Sequence, residues 1–281
     1  MRKAKPIIKI PGGKRQLSKR ILEHFPVAYP IEHYYEPFAG GLAVFFAAWN
    51  SGFLDKAAAH LSDVGPGLMN LYQEVLDDPE KVLAGANRFV ARYMRDPEVA
   101  YYALRDEWNG GAQTGLNRLL ISKTGFNGLW RMNKKGELNV AWNKESKIHL
   151  PDLECLTELQ HALHGTLAQL NKRDFKDISS NVVKRGTVLY LDPPYHGGFT
   201  GYNHSGFSDD DHVKVVAMAA KWSKAGAHVI LSCSATEQMR IWIGSHWPNA
   251  RITEIEASRR INRDGAGRKG VKELLCISSG Q

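Results

Sequence analysis

The chain has 281 residues and 31.4 kDa, with 43% hydrophobic residues, enough to fill one large interior or a core carrying an inserted module. Its net charge of +8 is unevenly spread: eight Lys/Arg and no acid lie between Arg2 and Arg20, a clustering that favours a polyanionic partner. Cys155, Cys233 and Cys276 are scattered, which argues against a disulfide scaffold or a zinc site and for a reducing, cytoplasmic setting. The basic start leads into no signal-type apolar segment, and the longest apolar run, residues 42–49, is too short to cross a bilayer, so neither secretion nor membrane insertion is expected.

In chain order, residues 16–24 read as a helix, and the aromatic run 33–38 reads as a strand that enters the Gly40-Gly41 turn and a helix over 42–49. Residues 57–62 form a small-residue strand ending at Asp63, and 68–76 return to helical spacing. Two further helices, 80–93 and 98–108, then lead into a Gly/Asn-rich basic segment that lacks buried-type strands. Alternation resumes with a helix over 152–163, a strand over 188–191 and a helix opened by Ser208 with Asp211 three residues on. A strand over 229–232, a helix capped by Ser234 with Glu237, and two last strands at 251–256 and 274–277, read as an antiparallel pair, complete the pattern. This is an α/β chain: a mainly parallel sheet with helices on both faces, interrupted by an inserted, mainly helical module with a hairpin tip at Lys134-Lys135-Gly136. The boundaries expected are 1–66, 67–150 and 151–281.

The most informative local feature is Asp192-Pro193-Pro194-Tyr195, delivered at the C-terminal end of the apolar strand. The two prolines remove N–H donors and stiffen the turn, so its carbonyls and the neighbouring carboxylate can only accept hydrogen bonds. Acceptors beside an aromatic face suit an exocyclic amine on a planar base. The strand ends at Glu36-Pro37-Phe38-Ala39-Gly40-Gly41 and at Asp63 describe an adjoining nucleoside pocket, because open α/β sheets bind ligands at the carboxyl ends of their strands. No dinucleotide glycine fingerprint and no phosphate-cradling lysine loop is present.

The order of Pro11-Gly12-Gly13-Lys14, Glu36-Pro37-Phe38-Ala39-Gly40-Gly41, Ser62-Asp63-Val64, Lys123-Thr124-Gly125-Phe126-Asn127-Gly128-Leu129-Trp130-Arg131, Asn133-Lys134-Lys135-Gly136-Glu137-Leu138-Asn139-Val140 and Asp192-Pro193-Pro194-Tyr195 resembles the Dam-type (D12 class) DNA adenine-N6 methyltransferases. The likeness spans nearly the whole chain, including a closing stretch from Arg259-Arg260-Ile261 through Gly267-Arg268-Lys269 to Glu273-Leu274-Leu275. It implies a Rossmann-like methyltransferase fold using S-adenosylmethionine, with a DNA-recognition module inserted between the cofactor motif and Asp192. It also implies a bacterial or phage-infected cell. By family pattern Ile10 and Lys14, then Glu36, Pro37, Phe38 and Gly40, then Asp63, and Asp174 with Phe175 line the cofactor. Asp192, Pro193, Pro194 and Tyr195 hold a flipped adenine.

The reaction implied needs no metal and no strong base. An activated sulfonium supplies the methyl group, and the protein aligns nitrogen, carbon and sulfur while accepting hydrogen bonds from N6. Between residues 118 and 147 there are seven Lys/Arg against two Glu, with Phe126, Trp130 and Trp142 interleaved, a composition that neutralises phosphates and stacks on bases. Arg131 is the candidate for a bidentate guanine contact, Phe126-Asn127 for filling the gap left by the extruded base, and Trp130 and Trp142 for holding the module together. Lys9, Leu129, Lys134, Arg259, Arg260 and Arg268 complete the expected double-stranded DNA contacts, made by a protein that is monomeric in solution. GATC is the first-choice target. Departures from the pattern are Leu42 where a small residue is common, with a side chain that would crowd the cofactor, Ile10 for an aromatic, and Ala141-Trp142 for a Pro-Phe pair. They leave two alternatives: cytosine-N4 methylation, since cytosine also carries an exocyclic amine, and DNA binding with an impaired cofactor site.

Overall fold

The computed structural model describes residues 3–197, 206–257 and 271–278. Arg259, Arg260 and Arg268 therefore lie outside the described residues. Strands β1 (His33–Glu36), β2 (Ala58–Ser62), β3 (Gln169–Asn171), β4 (Thr187–Leu191), β5 (His228–Ser234), β6 (Ala250–Ala257) and β7 (Val271–Ser278) form one sheet in the order β3-β2-β1-β4-β5-β7-β6. Strands β1 to β5 pair in parallel, and β7 enters antiparallel between β5 and β6. This is a Rossmann-like sheet, and its order reverses between β1 and β4, so the two strand ends that flank the reversal carry Glu36 and Asp192.

Period-two alternation explains the layering. Tyr34, Val188, Tyr190 and Ile230 join one buried cluster with helices α1 (Ser18–Leu22), α2 (Ala43–Asn50), α3 (Leu68–Asp77) and α7 (Leu153–Gly165). Their chain neighbours Tyr35, Leu189, Leu191 and Val229 join the opposite cluster with α8 (Asp209–Lys224) and α9 (Glu237–His246). β4, buried at every position, is the central strand, as a parallel strand covered on both faces must be.

Helices α4 (Pro79–Tyr93), α5 (Pro97–Asn109) and α6 (Gly115–Thr124), with the irregular segment that follows them, enclose a third cluster that includes Phe89, Tyr93, Tyr101, Trp108, Trp130 and Val140. α4 and α5 begin with Asp78-Pro79 and Asp96-Pro97: each aspartate accepts from the third backbone N–H beyond it, and each proline stands where the helix needs no donor. α3 packs its apolar face with the sheet layer and its outer side against α6.

Several local expectations change. The segment 16–24 is not one helix: Lys14–Gln16 forms a 3-10 turn and α1 follows it. The 33–38 strand stops at Glu36, before the proline. α9 is capped by Thr236, whose side chain accepts from the Met239 N–H, and not by Ser234, which is still within β5. Helix α6 and edge strand β3 were not anticipated. α6 is capped by Thr114, whose hydroxyl accepts from the Asn117 N–H at 3.1 Å, and its two preceding N–H groups find a distant partner: Glu74 on α3 accepts from Gly115 and Leu116 at 2.7 and 2.8 Å. Gly115 allows this because a Cβ there would sit 2.3 Å from the Leu71 Cα. No helix among the described residues is long and apolar enough to cross a membrane.

Candidate active site

Four carboxylates converge on the strand ends. Glu36 closes β1, buried, and its Oε2 accepts the Tyr34 hydroxyl at 2.7 Å while its carboxylate also accepts from the Phe45 N–H in the first turn of α2. Burial and the nearby Asp192 and Asp63 charges outweigh those two bonds and raise its pKa to about 8. Asp63 ties two loops together: Oδ2 accepts from the Gly40 N–H at 2.8 Å and Oδ1 from the Gly65 N–H at 2.7 Å. Burial raises its pKa, and those two donors with the Arg118 charge oppose the rise. Tyr72 locks the same turn from below, its hydroxyl donating to the Gly40 carbonyl at 2.7 Å.

Asp192 leaves β4 in a half-buried position, and the buried Lys14 reaches it with Nζ 2.8 Å from Oδ1. The ammonium also donates to the Gly12 carbonyl at 3.0 Å, lies 4.4 Å from the centroid of the Tyr195 ring, and stands 3.9 Å from Glu273 Oε2. Burial lifts the Asp192 pKa to about 6; Lys14 holds it below what burial alone would give, and Glu273 adds to the rise. Tyr195 donates to Glu273 Oε2 at 2.7 Å, and its own hydroxyl is held well above the ordinary range by burial and by the Asp192 and Glu273 charges. The constellation is an ammonium seated against a carboxylate and over an aromatic face.

Of the predicted cofactor residues, Ile10 approaches the Gly40 turn, with Cδ1 3.7 Å from where a Gly40 Cβ would lie. Pro37 is buried beside Glu36. Phe38 and Phe175 meet at a ring-centroid distance of 5.2 Å, and Phe207, which the sequence reading passed over, joins them at about 6 Å from each. Asp174 caps a 3-10 turn through the Lys176 N–H and is partly exposed. The left-handed backbone of Leu42 (φ 57°) turns a fully buried side chain into the core, so the expected crowding is corrected.

Of the predicted DNA residues within the described part, Phe126, Leu129 and Arg131 line one cleft and Lys9 packs beside the same turn. Phe126 is 51% exposed and Asn127 exposed in a left-handed conformation (φ 54°), on a turn held by Phe126 N–H donating to the Ala141 carbonyl. Lys9 packs against Gly128 of that turn, whose own Cβ would lie 2.9 Å from the Lys9 Cβ. Arg131 is exposed and braced by Asn139, Nε to Oδ1 at 2.9 Å and Nη2 to the backbone carbonyl at 3.1 Å. Lys134 sits exposed at a tip folded around Asn133, whose Oδ1 accepts from the Lys135 and Glu137 N–H groups. Phe126, Leu129, Arg131, Ala141, Trp142 and Lys144 line a cleft of about 460 Å³. Trp130 is buried edge-on to Trp108 at 4.9 Å with the Arg118 guanidinium 3.6 Å over its ring, and Trp142 donates to the Tyr93 hydroxyl at 2.8 Å, so both brace the segment.

Tyr72, Arg118, Phe207 and Glu273 are site residues that local sequence signals missed. Tyr72 stood only in the expected 68–76 helix, Arg118 only in the count of the basic 118–147 stretch, and Glu273 only in the closing stretch of the family likeness. Among the described residues, no group of three His, Cys, Asp or Glu is placed to hold a metal.

The sheet order, with β7 antiparallel between β5 and β6, is that of a Rossmann-like α/β fold whose strand ends gather carboxylates, Lys14 and Tyr195. The family model for D12 class N6 adenine-specific DNA methyltransferases matches residues 11–261, and the chain belongs to that family. It is 31% identical over 288 residues to a DNA adenine methylase of Vibrio cholerae, covering 99% of this chain and 97% of that one. It is 29% identical over 293 residues to the type II methyltransferase M.MjaIII of Methanocaldococcus jannaschii (98% and 99% covered) and 28% identical over 277 residues to the retron Ec67 DNA adenine methylase of Escherichia coli (97% and 90%).

Proposed function

We propose that the protein transfers a methyl group from S-adenosylmethionine to N6 of an adenine flipped out of double-stranded DNA, at a short specific sequence with GATC as the first candidate. The observation that carries this reading is the seat occupied by Lys14: a nitrogen donor already rests against Asp192 and over the Tyr195 face. An exocyclic amine has the same requirements as that ammonium, namely an acceptor for N–H and a flat surface for what is attached to it. Entry of the base therefore requires Lys14 to withdraw.

The cofactor assignment is supported by charge. Glu36, Asp63 and Asp192 stand at neighbouring strand ends with raised pKa values, an excess of carboxylate that a cationic ligand would relieve. Glu36, the Gly40 turn and Asp63 would hold that ligand, with Ile10, Phe38 and Phe175 as the apolar lining. S-adenosylmethionine supplies an electrophilic methyl on sulfur. Asp192 and the Pro193 carbonyl accept from N6, restrain its lone pair from delocalising into the ring, and stabilise the positive charge that develops there. Tyr195 stacks on the base and fixes its plane, which supplies most of the catalytic advantage as alignment.

Within the expected 67–150 segment, α3 packs in the sheet layer, and the part from α4 to residue 150 acts as the recognition module, with Lys9, Asn127, Leu129 and Lys134 at the duplex, Phe126 as the wedge and Arg131 as the guanine reader. Asp192→Ala tests the reading. Labelled methyl transfer to duplex DNA should vanish while the thermal transition persists, and retained transfer would contradict the assigned role.

A further inference from the structure

Glu273 lies on β7 opposite Ser234 of β5 and is 6% exposed. Its neighbours Leu274, Leu275, Cys276 and Ile277 are all buried, so a carboxylate is the exception in this strand and core packing does not account for it. A buried carboxylate is unfavourable unless its oxygens are engaged. Here both partners belong to the methyl-transfer site: the Tyr195 hydroxyl at 2.7 Å and the Lys14 ammonium at 3.9 Å from the same Oε2.

A tyrosine ring held only by packing can still tilt about its side-chain torsions. A hydrogen bond at the far end of the ring removes that freedom, because tilting would break it, and ring plane is what a stacked base experiences. Lys14 poses a second problem. If an incoming amine takes Asp192, the buried ammonium must keep a counter-charge, and Glu273, 3.9 Å away, is the other carboxylate beside it.

We infer that Glu273 is a positioning residue for methyl transfer, which fixes the Tyr195 ring and receives the Lys14 ammonium when the target amine displaces it from Asp192. The inference rests on the proposed function. No bond is made or broken; one ammonium passes between two carboxylates, and the Asp192 oxygen it leaves becomes available to N6.

The test uses the full chain as wild type, Glu273→Leu, Glu273→Gln, Tyr195→Phe and the Leu/Phe double variant, with kcat for duplex methylation, Kd for duplex and for S-adenosylhomocysteine, and thermal transitions measured for each. Loss of alignment in Glu273→Leu should lower kcat about 100-fold while both Kd values stay within about threefold. Glu273→Gln should recover about tenfold of that loss, since its amide oxygen still accepts from Tyr195, and the remainder reports the missing charge for Lys14. The double variant should be no slower than Glu273→Leu alone, as expected of two residues acting as one unit. Should the leucine variant fail to fold, the glutamine and phenylalanine variants carry the same comparison. Unchanged kcat, losses that multiply in the double variant, or kcat and both affinities falling together with the thermal transition would overturn the inference. An inactive wild type would refute the proposed function itself, whereas an active wild type with unaffected variants refutes the role of Glu273 alone.

Discussion

Asp192→Asn should make the protein more stable at neutral and alkaline pH. In the unfolded chain this carboxyl ionises near 3.8; in the fold, burial moves it to about 6 in spite of Lys14. Between those values the folded protein binds the extra proton, so stability falls as pH rises through the window, and above about 6 the full penalty is present. At about 1.4 kcal/mol per pH unit the displacement corresponds to about 3 kcal/mol. The side chain is only 18% exposed, too little for solvent to screen most of this. Asparagine has nearly the shape of the protonated acid and never ionises, so it escapes the penalty. With an unfolding entropy of about 2.1 cal/mol/K per residue for 281 residues, the gain at pH 8 is about 5 °C in Tm. Urea denaturation and calorimetry of both proteins at pH 8, 6 and 4 measure it, and the difference should shrink toward zero at the lowest value. An asparagine variant as stable as wild type or less stable at pH 8 would refute the reasoning, since the Lys14 attraction would then exceed the desolvation it offsets.

The same titration should appear in catalysis. The value of kcat/KM, which reports the free protein with Lys14 still against Asp192, should fall about tenfold per pH unit below about pH 6 and lie flat above about pH 7 on the Asp192 limb. Gly115→Ala should destabilise the protein by about 2 kcal/mol in denaturant titrations, because its methyl group would collide with the α3 backbone at Leu71. Leu42→Gly should relieve a left-handed leucine and still lose about 2 kcal/mol, as the emptied core outweighs the strain, with cofactor affinity by calorimetry unchanged. Arg131→Ala should preserve duplex binding while raising methylation at near-cognate relative to cognate sites about tenfold.

Much of this architecture was legible because it is local. The buried run before Asp192 could only be a central strand, and Ser208 with Asp211 forms the capping box its spacing suggests. Asp63 ends its strand as expected, although its oxygens are used to bind two loops together by backbone N–H groups 2 and 23 residues away. What escaped depends on distant partners. Helix α6 carries a local cap in Thr114, whose hydroxyl accepts from the Asn117 N–H, but its Gly115-Leu116 start reads as a loop, and the acceptor of those two N–H groups, Glu74, lies 41 residues earlier. Glu273 gains its place from Tyr195, 78 residues away, through strand pairing that inserts β7 beside β5. Leu42 misled for the opposite reason: a side chain at a glycine-like position suggested obstruction, whereas a positive φ lets a leucine point into the core.

The central claim is tested most directly in a host strain devoid of adenine methylation that overproduces this chain, by sequencing its DNA with modified bases detected at single-nucleotide level. Methylation of N6 at adenines within one short sequence, absent when Asp192 is replaced by alanine, is the predicted result. Adenines left wholly unmodified, or methyl groups found on cytosine N4 instead, would contradict it.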